Sequence, residues 1–217
     1  MFPRLALCAI ATLALLPAAS LQRFDKVSAE TAAFAPGGTI RIEGSAGDLN
    51  VEGWDQPSVE VTVTRVLWSN DAARAKRLLD AADIEKPSVS GNQLTFRTLR
   101  QGRGGIQIGY RVRVPRDSRL VIHHGTGAVV VYDVAGDVDA TAKVGDIVLQ
   151  LPGANYAIDA KNKSGGEIHS DFPGALHFNR ILLGERLNRN AAAPAHRLML
   201  RVGVGGIAIQ KMPANAD

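Results

Sequence analysis

Apolar residues recur at every second position over much of the chain. Ile40 and Ile42 alternate with Arg41 and Glu43, Val59, Val61 and Val63 with Glu60, Thr62 and Thr64, and Val112 and Val114 with Arg111 and Arg113. Successive side chains of an extended strand point to opposite faces, so this period of two marks strands with one face buried and one in water. Further strands are predicted near Gln93–Thr98 and Gln107–Val114. One stretch departs from the period. Ala75, Leu78, Leu79 and Ala82 fall at i, i+3, i+4 and i+7, with Asn70 and Asp71 as caps and Pro87 beyond the end, which predicts one amphipathic helix. Its apolar face is small and alanine-rich. It is expected to lie across a sheet or plug an open end, with Arg74, Lys76 and Arg77 in water.

Between Leu120 and Gln210 a unit recurs: alternating apolar residues, a glycine turn often followed by an acid, then alternation again. Copies run through Val121–Val130, Ala140–Leu149, Ile158–Ile168 and Leu200–Ile209, with an earlier cousin at Ile40–Val51. Aligned glycines at 127, 145, 165 and 205 are 18, 20 and 40 residues apart, so the last step reads as two coils, one of them degenerate. A period near 20 suits coils that each bury one apolar row only when another coil stacks on them. A sharp corner favours glycine, and Gly145 and Gly165 are the clearest candidates. The expected fold class is therefore all-β, a β-solenoid or β-helix-like stack of short strands with one small helix. From Phe178 to His196 the alternation fades into an excursion, either a protruding hairpin around Ile181–Leu183 or a loop.

The first residues bear on compartment. Arg4, the apolar run Leu5–Leu16 and the small residues Pro17–Ser20 have the form of a secretory signal, with cleavage expected after Ser20. The run is shorter than the roughly 20 residues that span a bilayer as a helix. Cys8, the one cysteine, lies too early in the run to carry a lipid. Cleavage would leave 197 of the 217 residues, no cysteine and 24 basic against 21 acidic side chains. Such a chain folds on apolar burial and backbone pairing, and its diffuse charge does not suggest nucleic acid as a partner. The expected organisation is a signal peptide at 1–20, a linker or lead-in segment at 21–38 ending at Pro36-Gly37-Gly38, the domain at 39–212 and a short tail at 213–217.

These elements, in this order, resemble the bacterial putative adhesin domain family of exported β-solenoid-type domains. The resemblance rests on the signal peptide, the Gly47-Asp48-Leu49-Asn50-Val51-Glu52-Gly53 unit, the strand and helix at Val59–Ala82 and the Gly-Asp/Glu repeats through Ile209. It covers roughly Thr39–Met212, and the stretch from Phe178 to His196 departs from even repetition. It implies an extracytoplasmic repeat domain with no catalytic residue to carry over.

Each chemistry-bearing residue also has a plain structural role open to it. Asp48, Asp137, Asp146 and Glu167 each follow a glycine and can collect Ca²⁺ along one edge, but an acid at such a turn more simply accepts backbone N–H groups. Asp137, Asp139, Asp146 and Asp159 supply carboxylates for glycoside hydrolysis, although their alternation is that of any solvent-facing strand. His123 and His124 point to opposite faces and show no zinc-like spacing with His169, His177 or His196. The Gly102–Gly105 cluster reads as a hairpin loop rather than a phosphate cradle. Trp54 and Trp68 stand beside strand ends, where large rings close a core. Among Arg97, Arg100, Arg103, Arg111, Arg113, Arg116 and Arg119, alternation puts Arg111 and Arg113 on one face, the best candidate for an anionic contact. The reading is a non-catalytic, adhesin-like envelope module, periplasmic or surface-exposed, that offers an exposed strand face to an unknown envelope protein or glycan. It calls for no cofactor, no metal and no transmembrane segment in the mature chain. The alternatives are a carbohydrate-active enzyme on a β-helical scaffold and a structural or stress-sensing envelope component.

Overall fold

The computed structural model describes residues 20–44, 46–81, 86–98, 105–153, 155–173, 176–181 (backbone only) and 184–212. The expected signal peptide up to residue 19, with Arg4 and Cys8, lies outside them, as do Ala82, Arg100, Arg103, most of the Gly102–Gly105 loop and the 213–217 tail. In chain order the elements are β1 (Gln22–Ala33), β2 (Thr39–Glu43), β3 (Asp48–Trp54), β4 (Ser58–Ser69), α1 (Ala72–Ala81), β5 (Ser88–Ser90), β6 (Gln93–Arg97), β7 (Gln107–Pro115) and β8 (Arg119–Thr126). They continue with β9 (Val129–Tyr132), β10 (Val138–Val144), β11 (Ile147–Leu151), β12 (Tyr156–Ser164), β13 (Ile168–Ser170), β14 (Leu176–Ile181), β15 (Gly184–Arg189), β16 (His196–Val204) and β17 (Ile207–Lys211).

The strands form two sheets. One has eight, in the order β1-β4-β7-β3-β9-β11-β17-β13, and the other nine, in the order β14-β15-β12-β16-β10-β8-β2-β6-β5. The period of two is borne out: Ile40, Ile42, Val59, Val61, Val63, Val112 and Val114 are fully buried, and the apolar rows of both sheets merge into one core. Helix α1 is capped by Asp71, whose Oδ1 accepts the Arg74 N–H at 2.9 Å, and it seats Ala75 and Leu79 against β4 and β1. Arg74, Lys76 and Arg77 are exposed, as expected.

Five units run from the nine-stranded sheet through a corner into the eight-stranded one: β2–β3, β8–β9, β10–β11, β12–β13 and β16–β17. Neighbouring units pair in parallel in both sheets. At the corners Gly47, Gly127, Gly145 and Gly205 donate their N–H groups to the carbonyls of Thr126, Val144, Val204 and Ser164, each in the next unit. All four have φ between 106° and 140°, which glycine alone adopts without strain. A Cβ on Gly145 would lie 2.1 Å from the Gly127 oxygen. The corners therefore approach so closely that no side chain fits between them.

Several expectations need correction. The spatial order of the units is not their chain order, because β16–β17 lies between β10–β11 and β12–β13. The sheets are open, and antiparallel segments flank them, β1-β4-β7 on one and β15-β14 on the other. The described residues thus make a mainly β, two-sheet fold with one helix, neither a closed barrel nor the regular solenoid expected. The 40-residue glycine step hides no degenerate coil. Residues 176–189 form an antiparallel hairpin that adds two strands beyond β12. The glycine in the corner column is Gly166, whose Cβ would lie 2.6 Å from the Gly205 carbonyl carbon, whereas Gly165 meets the Val204 side chain. Residues 22–33, read as linker or lead-in strand, pair along all of β4.

Candidate functional site

The predicted contact residues Arg111 and Arg113 lie on β7, on the outward face of the eight-stranded sheet. Both are committed there. Arg111 holds Glu52 through Nη2 and Nε, and Arg113 reaches Glu52 and Glu60 at 3.5 Å. The hydrogen bond from Arg111 holds the Glu52 carboxyl below its ordinary value, against the effect of burial. Trp54 is half-buried, donates Nε1–H to the Ser58 carbonyl and lies 5.6 Å from the Arg113 guanidinium. Trp68 does not close the core as expected: it faces outward at the end of β4 and is 52% exposed.

The acids that follow glycines accept backbone N–H groups from neighbouring units. Asp48 Oδ1 takes the Ala128 N–H at 3.1 Å, Asp146 Oδ1 the Gly206 N–H at 2.7 Å and Asp137 Oδ1 the Arg197 N–H at 2.9 Å. Glu167 is exposed at its corner. Among the described residues no three His, Cys, Asp or Glu side chains gather closely enough to hold a metal ion. His123 and His124 do point to opposite faces. His124 is buried, with Nε2 at 3.1 Å from the Thr126 carbonyl and its ring filling the space left by Gly44.

A concave feature opens on the outer face of the nine-stranded sheet. Its floor follows the strand register: Asp139 on β10 faces Met199 on β16, then come Asp159 on β12 and Asn188 on β15. The segment Asn190–Pro194 walls one side, and the groove holds about 570 Å³. A second depression of about 310 Å³, lined by Arg119, Asp137 and Asp139, continues it across Arg197 and Met199, which line both. Met199 is 48% exposed in the middle of the floor. A large apolar side chain in such a position is in contact with solvent for want of a partner, and amides and charges surround it.

Two arginines fix the electrostatics of the floor. Arg201 on β16 and Arg186 on β15 each hold one oxygen of Asp159, Arg186 Nε at 3.2 Å, and Arg201 Nη1 also donates to the Asp159 carbonyl at 2.7 Å. Burial tends to raise the Asp159 carboxyl, but the two guanidinium groups outweigh it and hold it below its ordinary value. It is an anchored carboxylate and has no proton to donate at neutral pH. Asp159 and Asp139 stand out in the sequence, but Met199 and Arg201 do not, because they become neighbours of those acids only through the placing of β16 between β10 and β12.

No protein-family model matches the chain, and no curated protein matches it. Among solved structures it is similar to a putative cell adhesion protein from Clostridium sporogenes, at 13% identity and a TM-score of 0.48, over 86% of this chain and 100% of that one. It is also similar to a putative adhesin from Parabacteroides distasonis, at 11% identity and a TM-score of 0.26, over 85% of this chain and 97% of that one.

Proposed function

We propose that this protein is an exported, non-catalytic envelope domain that binds a partner through the outer face of its nine-stranded sheet. The carrying observation is the groove across β8, β10, β16, β12 and β15, with Met199 exposed between Asp139 and the arginine-anchored Asp159. A rigid sheet face of this kind suits recognition over area, since its floor side chains sit on paired strands. Export is argued from the signal-like first 20 residues, with cleavage after Ser20. No helix among the described residues is long and apolar enough to cross a membrane. The binding domain is taken to span 39–212, with β1 as its lead-in strand.

A hydrolytic reading would use Asp139 and Asp159, which flank Met199 two strand spacings apart, roughly 10 Å between backbones. It needs one carboxyl that keeps its proton, and the Arg201 and Arg186 pairing of Asp159 speaks against that role. The Arg111–Arg113 face is a second contact surface, one whose cations must first release Glu52 and Glu60.

The purified protein, tested against isolated bacterial envelope polysaccharides and surface proteins, should show saturable binding that Met199→Arg lowers by about tenfold or more. Met199 is exposed, so the substitution leaves the melting temperature near that of the wild type. Absence of binding, or binding indifferent to Met199→Arg, refutes this face as the site.

A further inference from the structure

Beside the groove floor the next row of side chains on the same face is basic. Arg201 on β16 stands opposite Lys161 on β12, and Lys161 stands opposite Arg186 on β15. Like charges directly opposite one another destabilise a sheet, so three in line are not explained by folding. Asp159 answers the two arginines from the neighbouring row, and Lys161 receives no carboxylate among the described residues.

One row further toward the corner, Lys143 on β10 and Lys163 on β12 are exposed on either side of Gly203. A Cβ at position 203 would lie 2.3 Å from the Lys143 carbonyl oxygen, so the position is restricted to glycine and leaves a notch between the two lysines. Neither lysine has an acidic partner among the described residues. The nearby acids are occupied or turned away: Asp146 holds the Gly206 N–H, and Glu185 accepts the Ile168 N–H.

Five cations thus stand on a strip that crosses four strands, roughly 14 Å long by the usual strand spacing and about 7 Å wide, against two carboxylates, Asp159 and Asp139, in the floor row beside it. The strip runs in the same direction as the groove and borders it at Asp159. Resting on the binding face argued above, we propose that the partner is a linear acidic polysaccharide. Its sugar rings lie in the groove over Met199, and its carboxylate or sulfate groups meet Lys143, Lys161, Lys163, Arg186 and Arg201. A planar bilayer cannot descend to the groove floor. Among the described residues no aromatic side chain lines the groove to stack nucleobases.

The test uses the full-length protein with polygalacturonate, dextran sulfate, neutral dextran and phosphatidylcholine–phosphatidylglycerol vesicles as probes. The variant is Lys143→Gln with Lys161→Gln and Lys163→Gln, three exposed side chains without ion pairs, whose melting temperature should match the wild type. Each exposed charge contact is a factor of roughly 1.5 to 5, so the triple variant should bind polygalacturonate or dextran sulfate roughly 3- to 100-fold more weakly. Wild-type binding should also fall with salt, and neutral dextran should not bind. Equal binding by the triple variant, no preference for the polyanions over dextran, or binding to vesicles alone overturns the proposal. If a neutral glycan or a protein binds instead and Met199→Arg abolishes it, the acidic ligand is wrong while the face stands. If nothing binds the face, both fall.

Discussion

Replacing Gly145 with alanine tests how closely the corners are stacked. Two costs act together. The backbone at Gly145 has φ +127°, a region that L residues enter at roughly 1–3 kcal/mol. The new methyl would also sit 2.1 Å from the Gly127 oxygen and 2.7 Å from its carbonyl carbon. Those are backbone atoms of a unit paired on both sides, so relief requires the strands themselves to shift, at about another 1–3 kcal/mol. The sum, about 2–6 kcal/mol, is a large share of the roughly 5–15 kcal/mol that holds a domain folded. At about 2–4 °C per kcal/mol for a chain of this size, the melting temperature should fall by about 5–20 °C.

Gly153→Ala supplies the control, because Gly153 also has positive φ, +80°, yet nothing lies within 4 Å of its Cβ position. It should show the backbone cost alone. Urea unfolding followed by circular dichroism gives both free energies from midpoints and slopes. If Gly145→Ala costs no more than Gly153→Ala, the two corners do not approach as described, and the stacking argument fails.

Two further outcomes follow from the same geometry. Asp146→Ala removes the acceptor of the Gly206 N–H and should cost about 0.5–1.5 kcal/mol in urea unfolding, while Asp146→Asn, which keeps an acceptor oxygen, should cost less; equal losses would point to the charge rather than the hydrogen bond. Burial holds the His124 imidazole below its ordinary 6.5, against the opposing effects of backbone partners at Gly47 and Thr126 and of Asp48. The unfolded chain therefore takes up that proton first, so stability should fall as pH drops below about 6.5 and stop falling on this account once the lowered folded value is passed. His124→Gln should remove this slope. Glu52, held low by its Arg111 hydrogen bond, begins to lose its contribution only as pH falls below about its ordinary 4.5, whereas the His124 loss begins below about 6.5. A melting profile between pH 7 and 5 unchanged by His124→Gln would refute the assignment.

Much of the local structure was legible because it depends on local physics. Val59, Val61 and Val63 declare a buried face by period alone, and Asp71 with Pro87 brackets the helix. The backbone-bonding role of Asp48, Asp137 and Asp146 was also readable, since an acid after a glycine corner finds N–H groups close by. Trp68 was misread because its place beside a strand end does not say which face it takes. The hairpin at 176–189 was one of the two forms open to the excursion, and the sequence left it beside a loop because outward residues such as Arg186 and Asn188 break the apolar rhythm while the backbone still pairs. Arg111 and Arg113 were placed on one face correctly, but their ion pairs with Glu52 and Glu60 depend on which strands become neighbours.

Strand neighbours are also what create the candidate site. Three side chains of the β10–β11 unit find their partners 60 residues away on the last unit: Asp137 on the Arg197 N–H, Asp146 on the Gly206 N–H and Gln150 on Gln210. They grip β16–β17 near the start of its first strand, at the corner and along its second strand. From the other side Asp159 on β12 holds Arg201 of the same unit. These contacts favour the last unit over the next one in the chain as the neighbour of β10–β11, and closing the longer loop costs little extra because its entropy grows only logarithmically with length. The insertion sets Met199 between Asp139 and Asp159 and brings Arg201 opposite Lys161. Stacked in chain order, β12 would lie beside β10, and neither the groove floor nor the basic row would form. The carboxylates that look most like a site in the sequence, Asp137 and Asp146, act instead as the fasteners that bring a different set of residues together.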